Sequence, residues 1–145
     1  MCIRDRYSIH YSSDIDHLKS CITSVYHALR TRGVFCFNAV DKNRISNNRF
    51  EAYTTEHLGD VFKFSSGWHY RGYGNQQSLK LRIDKTTQDG CETWQDEHPM
   101  VALDFEEFSR LLEPYFEVHI FEHDYGRIEP WDGQSGNAVF VCVKA

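Results

Sequence analysis

The sequence lacks the features that define several large classes of protein. It has no apolar run near the roughly 20 residues that a membrane-spanning helix needs, so we expect no membrane partner. It has no cluster of lysine and arginine and a net charge of -5, which argues against nucleic acid, because phosphate contacts need a basic surface. No basic leader followed by an apolar stretch is visible, so no secretory signal is predicted. These absences together predict a cytoplasmic protein.

Paired cysteine motifs are also missing. The five cysteines are scattered and include no Cys-x-x-Cys pair, whereas a disulfide framework or a zinc knuckle needs paired spacings. No metal site is therefore predicted, and we interpret the cysteines as thiols, most of them buried. They are Cys2, Cys21, Cys36, Cys91 and Cys142.

The remaining composition is that of an ordinary globular domain. With 145 residues, 41 % of them hydrophobic and 26 % charged, the chain is long enough to build one apolar core. Its start does not fit this pattern. Residues 7–11 have the character of a buried strand end, yet Arg4, Asp5 and Arg6 would precede them in that strand, where buried charge is costly. We therefore predict that residues 1–6 are a non-native leader.

An amphipathic helix is predicted over residues 14–32. Its start can be capped by Ser12, Ser13 or Asp14, and Gly33 is predicted to supply a left-handed stop. Apolar residues recur at intervals of three and four, which draws one stripe along the helix. They are Ile15, Leu18, Ile22, Val25 and Leu29.

Residues 34–40 follow as an apolar strand of the kind that is buried on both faces. Strand, helix and strand in this order predict a parallel βαβ unit with a right-handed crossover. The pattern then weakens, and residues 50–58 are interpreted as a short helix. Alternating segments at 79–83 and 91–101 flank an Asp-Gly pair at 89–90, which is typical of a β-hairpin turn.

The C-terminal part predicts a helix followed by two strands. Asp104 and Glu107 have the spacing of a capping box at the start of the helix. Residues 116–122 and 137–143 are predicted to be strands joined by a loop. The order of elements indicates an α/β fold in which about residues 42–103 form an insertion.

Three segments resemble a known family. Residues 29–35 look like the Leu-Lys-Pro-Gly-Gly turn of class I S-adenosylmethionine-dependent methyltransferases. Residues 97–118 are similar to the helix and strand before that family's terminal hairpin, and residues 137–144 to its closing strand. Residues 7–145 therefore resemble the C-terminal half of such an enzyme. The implied fold is α/β, a partial Rossmann-like methyltransferase sheet of the last four strands with a terminal antiparallel hairpin and a β-hairpin insertion.

The resemblance also implies a cofactor and a substrate class. In the family, residues just after the fourth strand line the methionine portion of S-adenosylmethionine. The strand end at residues 7–11 corresponds to that position, which implies cofactor contacts from Ile9, His10 and Tyr11. The alternative is that Ile9 belongs to the core and that His10 is a polar residue at a strand end. The spacing of Ser12-Ser13 to His17 is similar to that of small-molecule members, including aminosugar N-methyltransferases.

Methyl transfer needs a group that removes a proton from the nucleophile, and histidine suits that role. The candidates are His17, which can equally be a solvated residue of the first helical turn, and His98, which follows the hairpin strand. Tyr70 and Trp94 are candidate substrate contacts in an aromatic lid over a small molecule, and packing of the insertion against the sheet is the alternative.

The family's glycine-rich cofactor turn, its acidic ribose-binding residue and its adenine-binding segment have no counterpart in this sequence. We therefore expect a truncated chain that is inactive alone. Its function is predicted to be transfer of a methyl group from S-adenosylmethionine to a nitrogen or oxygen of a small molecule. The alternative is a non-catalytic α/β interaction module. Neither substrate identity nor oligomeric state follows from the residues.

Overall fold

The part of the chain that the structure describes folds into two four-stranded sheets and two helices. The structure is a computed structural model in which residues 2–124 and 126–145 are described. The elements in chain order are β1 (Cys2–Arg6), α1 (Ile15–Ala28), β2 (Val34–Val40), β3 (Glu51–His57), β4 (Asp60–Tyr70), β5 (Gln76–Thr87), β6 (Gly90–Val101), α2 (Phe105–Leu112), β7 (Phe116–Glu122) and β8 (Asn137–Lys144). Single 3-10 helical turns lie at Ser8–Tyr11 and Lys42–Arg44.

The first sheet, here called the core sheet, has the strand order β1-β2-β8-β7. Strand β1 runs parallel to β2, while β8 runs antiparallel between β2 and β7. This confirms the α/β fold, the parallel βαβ unit and the terminal antiparallel hairpin. The hairpin forms because alternate residues of β8 (Ala138, Phe140 and Cys142) all face the core.

The second sheet, here called the inserted sheet, is an antiparallel meander of β3, β4, β5 and β6. The hairpin predicted at 89–90 is confirmed, with Gly90 at a φ of 155°. The helix predicted over residues 50–58 is wrong, because that segment forms β3 and the turn into β4. Leu58 and Gly59 both take positive φ angles, 53° and 84°, as a two-residue hairpin turn requires. The insertion is therefore a four-stranded sheet and not a single hairpin.

The strand predicted at residues 7–11 is also wrong. Tyr7 takes a φ of 59°, which turns the chain out of β1, and the His10 amide then donates to the Tyr7 carbonyl at 3.1 Å. The segment is consequently a 3-10 turn, here called the Ser8–Tyr11 turn. The strand lies in the backbone of Cys2–Arg6 instead. That residues 1–6 are a non-native leader stays a prediction.

Helix α1 begins where predicted and ends earlier. The Asp14 carboxylate caps it by accepting from the His17 amide at 2.7 Å, but the helix stops at Ala28 rather than residue 32. Arg32, with a φ of 59°, takes the left-handed position expected of Gly33. Gly33 is needed for a close approach instead, since a Cβ there would lie 2.7 Å from the Arg30 carbonyl oxygen.

The core lies between the core sheet and the two helices. The rings of Phe37 on β2 and Phe140 on β8 stack 5.0 Å apart, and Phe105 and Phe108 of α2 pack against Phe140. All four rings are buried. The aromatic cluster therefore fixes α2 against the centre of the sheet.

Helix α2 starts with the predicted capping box. The Asp104 carboxylate accepts from the Glu107 amide at 2.8 Å, and the Glu107 carboxylate accepts from the Asp104 amide at 2.9 Å.

Replacing Asp104 by alanine should lower the free energy of unfolding by about 1 kcal/mol, because it leaves the helical amide of Glu107 without its acceptor. Urea denaturation measures this change. Glu56→Ala on an exposed position of β3 is the control, and an equal loss in both variants would contradict the capping role.

The cysteines differ in burial more than the sequence predicted. Cys142 is buried, Cys21 and Cys36 are half-buried, and Cys91 is exposed. Burial raises the pKa of the Cys142 thiol to about 12.

Since the thiolate is the reactive form, iodoacetamide at pH 8 should modify Cys91 in the native protein and Cys142 only in urea. Peptide mass mapping checks this, and native labelling of Cys142 as fast as Cys91 would refute it.

Candidate functional site

A cavity of about 760 Å³ lies between the inserted sheet and the segment that leaves β1. One wall is formed by the end of the Ser8–Tyr11 turn and the two serines after it, and the other by β4, β5 and β6 with the turn residue Arg71. Most of the lining residues carry polar groups, among them Tyr11, Ser13, His69, Arg71, Lys80 and Glu97, while apolar atoms make up more of the exposed lining than polar atoms do. A cavity of this size, with polar groups on an otherwise apolar surface, suits a small molecule.

The charged residues of the cavity are arranged by strand register. Lys80 on β5 lies directly opposite Glu97 on β6, and directly opposed residues present their side chains on the same face of a sheet. The Ser78 hydroxyl donates to the Glu97 carboxylate at 2.6 Å. The wall therefore offers both hydrogen-bond donors and a carboxylate acceptor to a ligand.

The cavity residue Tyr11 begins a continuous hydrogen-bonded chain of three side chains, whose other members, His98 and Asp96, lie on the face of β6 opposite to that of the lining residue Glu97. The phenol oxygen of Tyr11 lies 2.6 Å from His98 Nδ1, and His98 Nε2 lies 3.0 Å from Asp96 Oδ2. The hydrogen bond with His98 holds the pKa of the Asp96 carboxyl below its usual range. Asp96 is therefore ionised at neutral pH and favours a proton on His98 Nε2. The carboxylate, imidazole and phenol have the order of a proton relay, here called the Tyr11–His98–Asp96 chain.

His10 has a different environment from His98. It is wholly buried, and its Nε2 accepts from the Val40 amide at 3.0 Å. A neutral imidazole has one N–H, so Nδ1 carries the proton and donates to the Val101 carbonyl at 3.0 Å. The side-chain nitrogen of Gln77 lies 3.0 Å from Nδ1, and since two donors cannot share a hydrogen bond, the Gln77 amide is satisfied with its buried Oε1 turned toward the ring instead. His10 thus joins the end of β2 in the core sheet to the end of β6 in the inserted sheet.

The residues proposed for cofactor contact and catalysis do not all lie at the cavity. Tyr11 lines the cavity, whereas Ile9 and His10 are buried beside the core. His17 lies exposed in the first turn of α1, where its Nδ1 accepts from the Ser13 amide at 3.4 Å. The structure therefore brings His98 and Tyr11 together and leaves His17 outside the Tyr11–His98–Asp96 chain. The roles assigned to these residues stay predictions.

The two proposed substrate contacts lie away from the cavity lining. Tyr70 is buried, and its hydroxyl donates to the Gly74 carbonyl at 2.9 Å, which braces the turn between β4 and β5. Trp94 is half exposed on β6, opposite Ile83. They do not form one aromatic lid, and their substrate roles also stay predictions.

Asp96 is the site residue that the sequence analysis overlooked. Residues two apart on a strand face the same side, so Asp96 and His98 on the predicted hairpin strand already shared a face. The lining residues His69 and Arg71 carry no comparable signal, because the glycine-rich sequence of residues 67–74 hides the end of the strand in which His69 lies.

Among the described residues, the structure holds neither a membrane-spanning helix nor a metal-binding cluster. None of the helices among them is long and apolar enough to cross a membrane. Within residues 2–124 and 126–145, no group of three or more histidine, cysteine, aspartate or glutamate side chains is placed to hold a metal ion.

The fold has close counterparts among solved structures. CalS10 from Micromonospora echinaspora, an amino pentose methyltransferase with bound S-adenosylmethionine, matches 99 % of this chain with a TM-score of 0.78 and 12 % identity. DesVI from Streptomyces venezuelae matches 99 % with a TM-score of 0.76 and 16 % identity. KedS8, a sugar N-methyltransferase from Streptoalloteichus, matches 94 % with a TM-score of 0.67 and 17 % identity.

The described chain therefore has a fold that matches part of S-adenosylmethionine-dependent methyltransferases. It spans 58 % of the length of CalS10 and of DesVI, and 52 % of KedS8. No family model and no curated protein sequence matches the chain.

Proposed function

We propose that this chain is the C-terminal half of a methyltransferase that moves a methyl group from S-adenosylmethionine to a nitrogen or oxygen of a small molecule. The observation that supports this most is the core sheet, in which β8 is reversed between β2 and β7 while the inserted sheet walls a polar cavity beside the end of β1. Open α/β sheets bind their ligands beyond the carboxyl ends of the parallel strands, which is where this cavity lies.

S-adenosylmethionine is proposed as the cofactor, and the described residues fit one side of it. The Ser8–Tyr11 turn follows β1 directly, and the half-exposed ring of Tyr11 offers a surface at the cavity. Ile9 and His10, which precede Tyr11 in the same turn, are buried. The cofactor supplies an electrophilic methyl group when bound. The glycines of residues 72–74 lie in the turn from β4 to β5 and not after a parallel strand, so we propose that the chain is inactive alone.

The proposed substrate is a small molecule with an amine or a hydroxyl group. Its support is the polar lining of the cavity, where Arg71, Lys80 and Glu97 can hydrogen-bond several groups at once. CalS10 and KedS8 act on an amino pentose and a sugar, respectively, which agrees with a cavity of this chemistry. Proximity of the nucleophile to the methyl group supplies much of the acceleration in such a reaction.

One observation favours the second candidate, a non-catalytic interaction module. Tyr53, Phe64, Ile83 and Trp94 lie opposite one another in one row across all four strands of the inserted sheet. Three of these side chains are at least 40 % exposed, and apolar rows of this kind mark interaction surfaces. A module of this type needs no cofactor.

The reading frame upstream of the Tyr7 codon in the source DNA separates the two functions. An enzyme requires an open frame that encodes a strand, a glycine-rich turn and a helix, with an acidic residue at the end of the next strand. A stop codon just upstream, followed by a start codon, would contradict the methyltransferase proposal and favour the module.

A further inference from the structure

The contacts within the Tyr11–His98–Asp96 chain determine which atoms donate hydrogen bonds and which accept them. Asp96 Oδ1 accepts from the Glu97 amide at 2.8 Å, which fixes the carboxylate, and Oδ2 faces His98 Nε2 at 3.0 Å. A carboxylate only accepts hydrogen bonds, so in the neutral imidazole Nε2 carries the proton and Nδ1 is an acceptor. The Tyr11 hydroxyl, 2.6 Å away, therefore donates to Nδ1 and keeps its own lone pairs available.

Two members of the Tyr11–His98–Asp96 chain are accessible to a bound molecule, which points to a role in proton transfer. The side chain of Tyr11 is 50 % exposed and lines the cavity, while that of His98 is 32 % exposed. A second histidine–carboxylate pair, His119 with Glu117 on β7, has a similar separation of 3.2 Å, but the ring beside its imidazole is that of Phe121, which carries no hydroxyl group. The phenol between imidazole and cavity is what distinguishes the site at His98.

We infer that Tyr11 is the catalytic residue that accepts a proton from the nucleophile of the substrate, with His98 as the receiver of the Tyr11 proton and Asp96 as a positioning residue. This inference rests on the proposed methyl transfer. It assigns Tyr11 to proton transfer in addition to the cofactor contact implied by the resemblance.

The step balances without a further reactant. The N–H or O–H proton of the substrate passes to Tyr11 Oη as the phenolic proton passes to His98 Nδ1. The freed lone pair bonds to the methyl carbon, and the pair that joined this carbon to sulfur stays on sulfur. The products are the methylated substrate, a neutral thioether and a His98 imidazolium that faces the Asp96 carboxylate. Proton transfer of this kind contributes about 10²–10⁴-fold to a rate.

The first test reads the tautomer of His98 in the 145-residue chain by ¹⁵N NMR at pH 8. The inference predicts the Nε2–H tautomer, a Tyr11→Phe variant with an altered Nδ1 resonance, and an Asp96→Ala variant with a raised Nδ1–H population. Glu117→Ala, which breaks the matched pair, should leave the His98 signals unchanged. An Nδ1–H tautomer in the unmodified chain would overturn the inference, because Tyr11 could then not donate to His98.

The second test uses the protein encoded by the complete reading frame, with methyl transfer from S-adenosylmethionine to an aminosugar as the readout. Tyr11→Phe and His98→Ala should each lower kcat by about 10²-fold, with His119→Ala as the unaffected control. Full kcat in Tyr11→Phe would overturn the relay while leaving the methyltransferase intact. No transfer by the unmodified protein would count against the proposed function itself, whatever the tautomer of His98.

Discussion

Replacing His10 by alanine should lower the free energy of unfolding by about 3–5 kcal/mol. The substitution leaves the Val40 amide and the Val101 carbonyl without a hydrogen-bond partner, because both bond to the buried ring of His10. Each unsatisfied buried group costs about 1–3 kcal/mol, and the lost ring leaves a cavity in addition. Because His10 joins the two sheets, urea denaturation should also show lower cooperativity between them.

His17→Ala is the matched control for that experiment. His17 is exposed at the start of α1, and surface substitutions of this kind usually change stability by less than about 0.5 kcal/mol. A comparable loss in the two variants would contradict the joining role of His10.

Phe140→Ala should destabilise the chain by a similar amount, about 3–5 kcal/mol, as buried phenylalanine truncations do. Its ring is fully buried, stacks on Phe37 and meets Phe105 and Phe108 of α2. The loss should be accompanied by weaker near-ultraviolet circular dichroism, since the aromatic cluster loses its centre. Tyr53→Ala, which removes an exposed ring from β3, is the control. Retention of stability in Phe140→Ala would mean that this cluster does not hold α2.

The elements that the sequence predicted well are those whose signals are local. The Asp14 cap, the capping box of Asp104 and the apolar run of β2 each depend on side chains within a few residues of one another. The reversed β8 was predicted from a family resemblance, because nothing local in its residues states which two strands it separates.

The errors arose where distant contacts decide the structure. Residues 50–58 become β3 because they pair along their length with β4, which the local pattern did not reveal. The end of α1 was misplaced because a left-handed residue was expected only at glycine, whereas Arg32 takes that conformation. Its amide is held there by the carbonyl of Lys144 at 2.9 Å, a partner more than a hundred residues away.

The candidate site was predictable only in part, for the same reason. Histidine at position 98 was a candidate base from its residue type and the resemblance, and tyrosine at position 11 was a candidate contact. Their contact at 2.6 Å joins residues 87 apart in the chain and depends on the packing of the whole inserted sheet. The buried placement of His10 likewise depends on β2 and β6 at once, so spacing alone could not separate it from Tyr11.

We propose that this fold forms one side of a binding site for S-adenosylmethionine. The most direct test of this proposal is isothermal titration calorimetry of S-adenosylmethionine against the protein encoded by the complete reading frame. We expect saturable binding with one site per chain, and weaker or no binding by the 145-residue chain alone. A folded full-length protein that gives no heat of binding would contradict it.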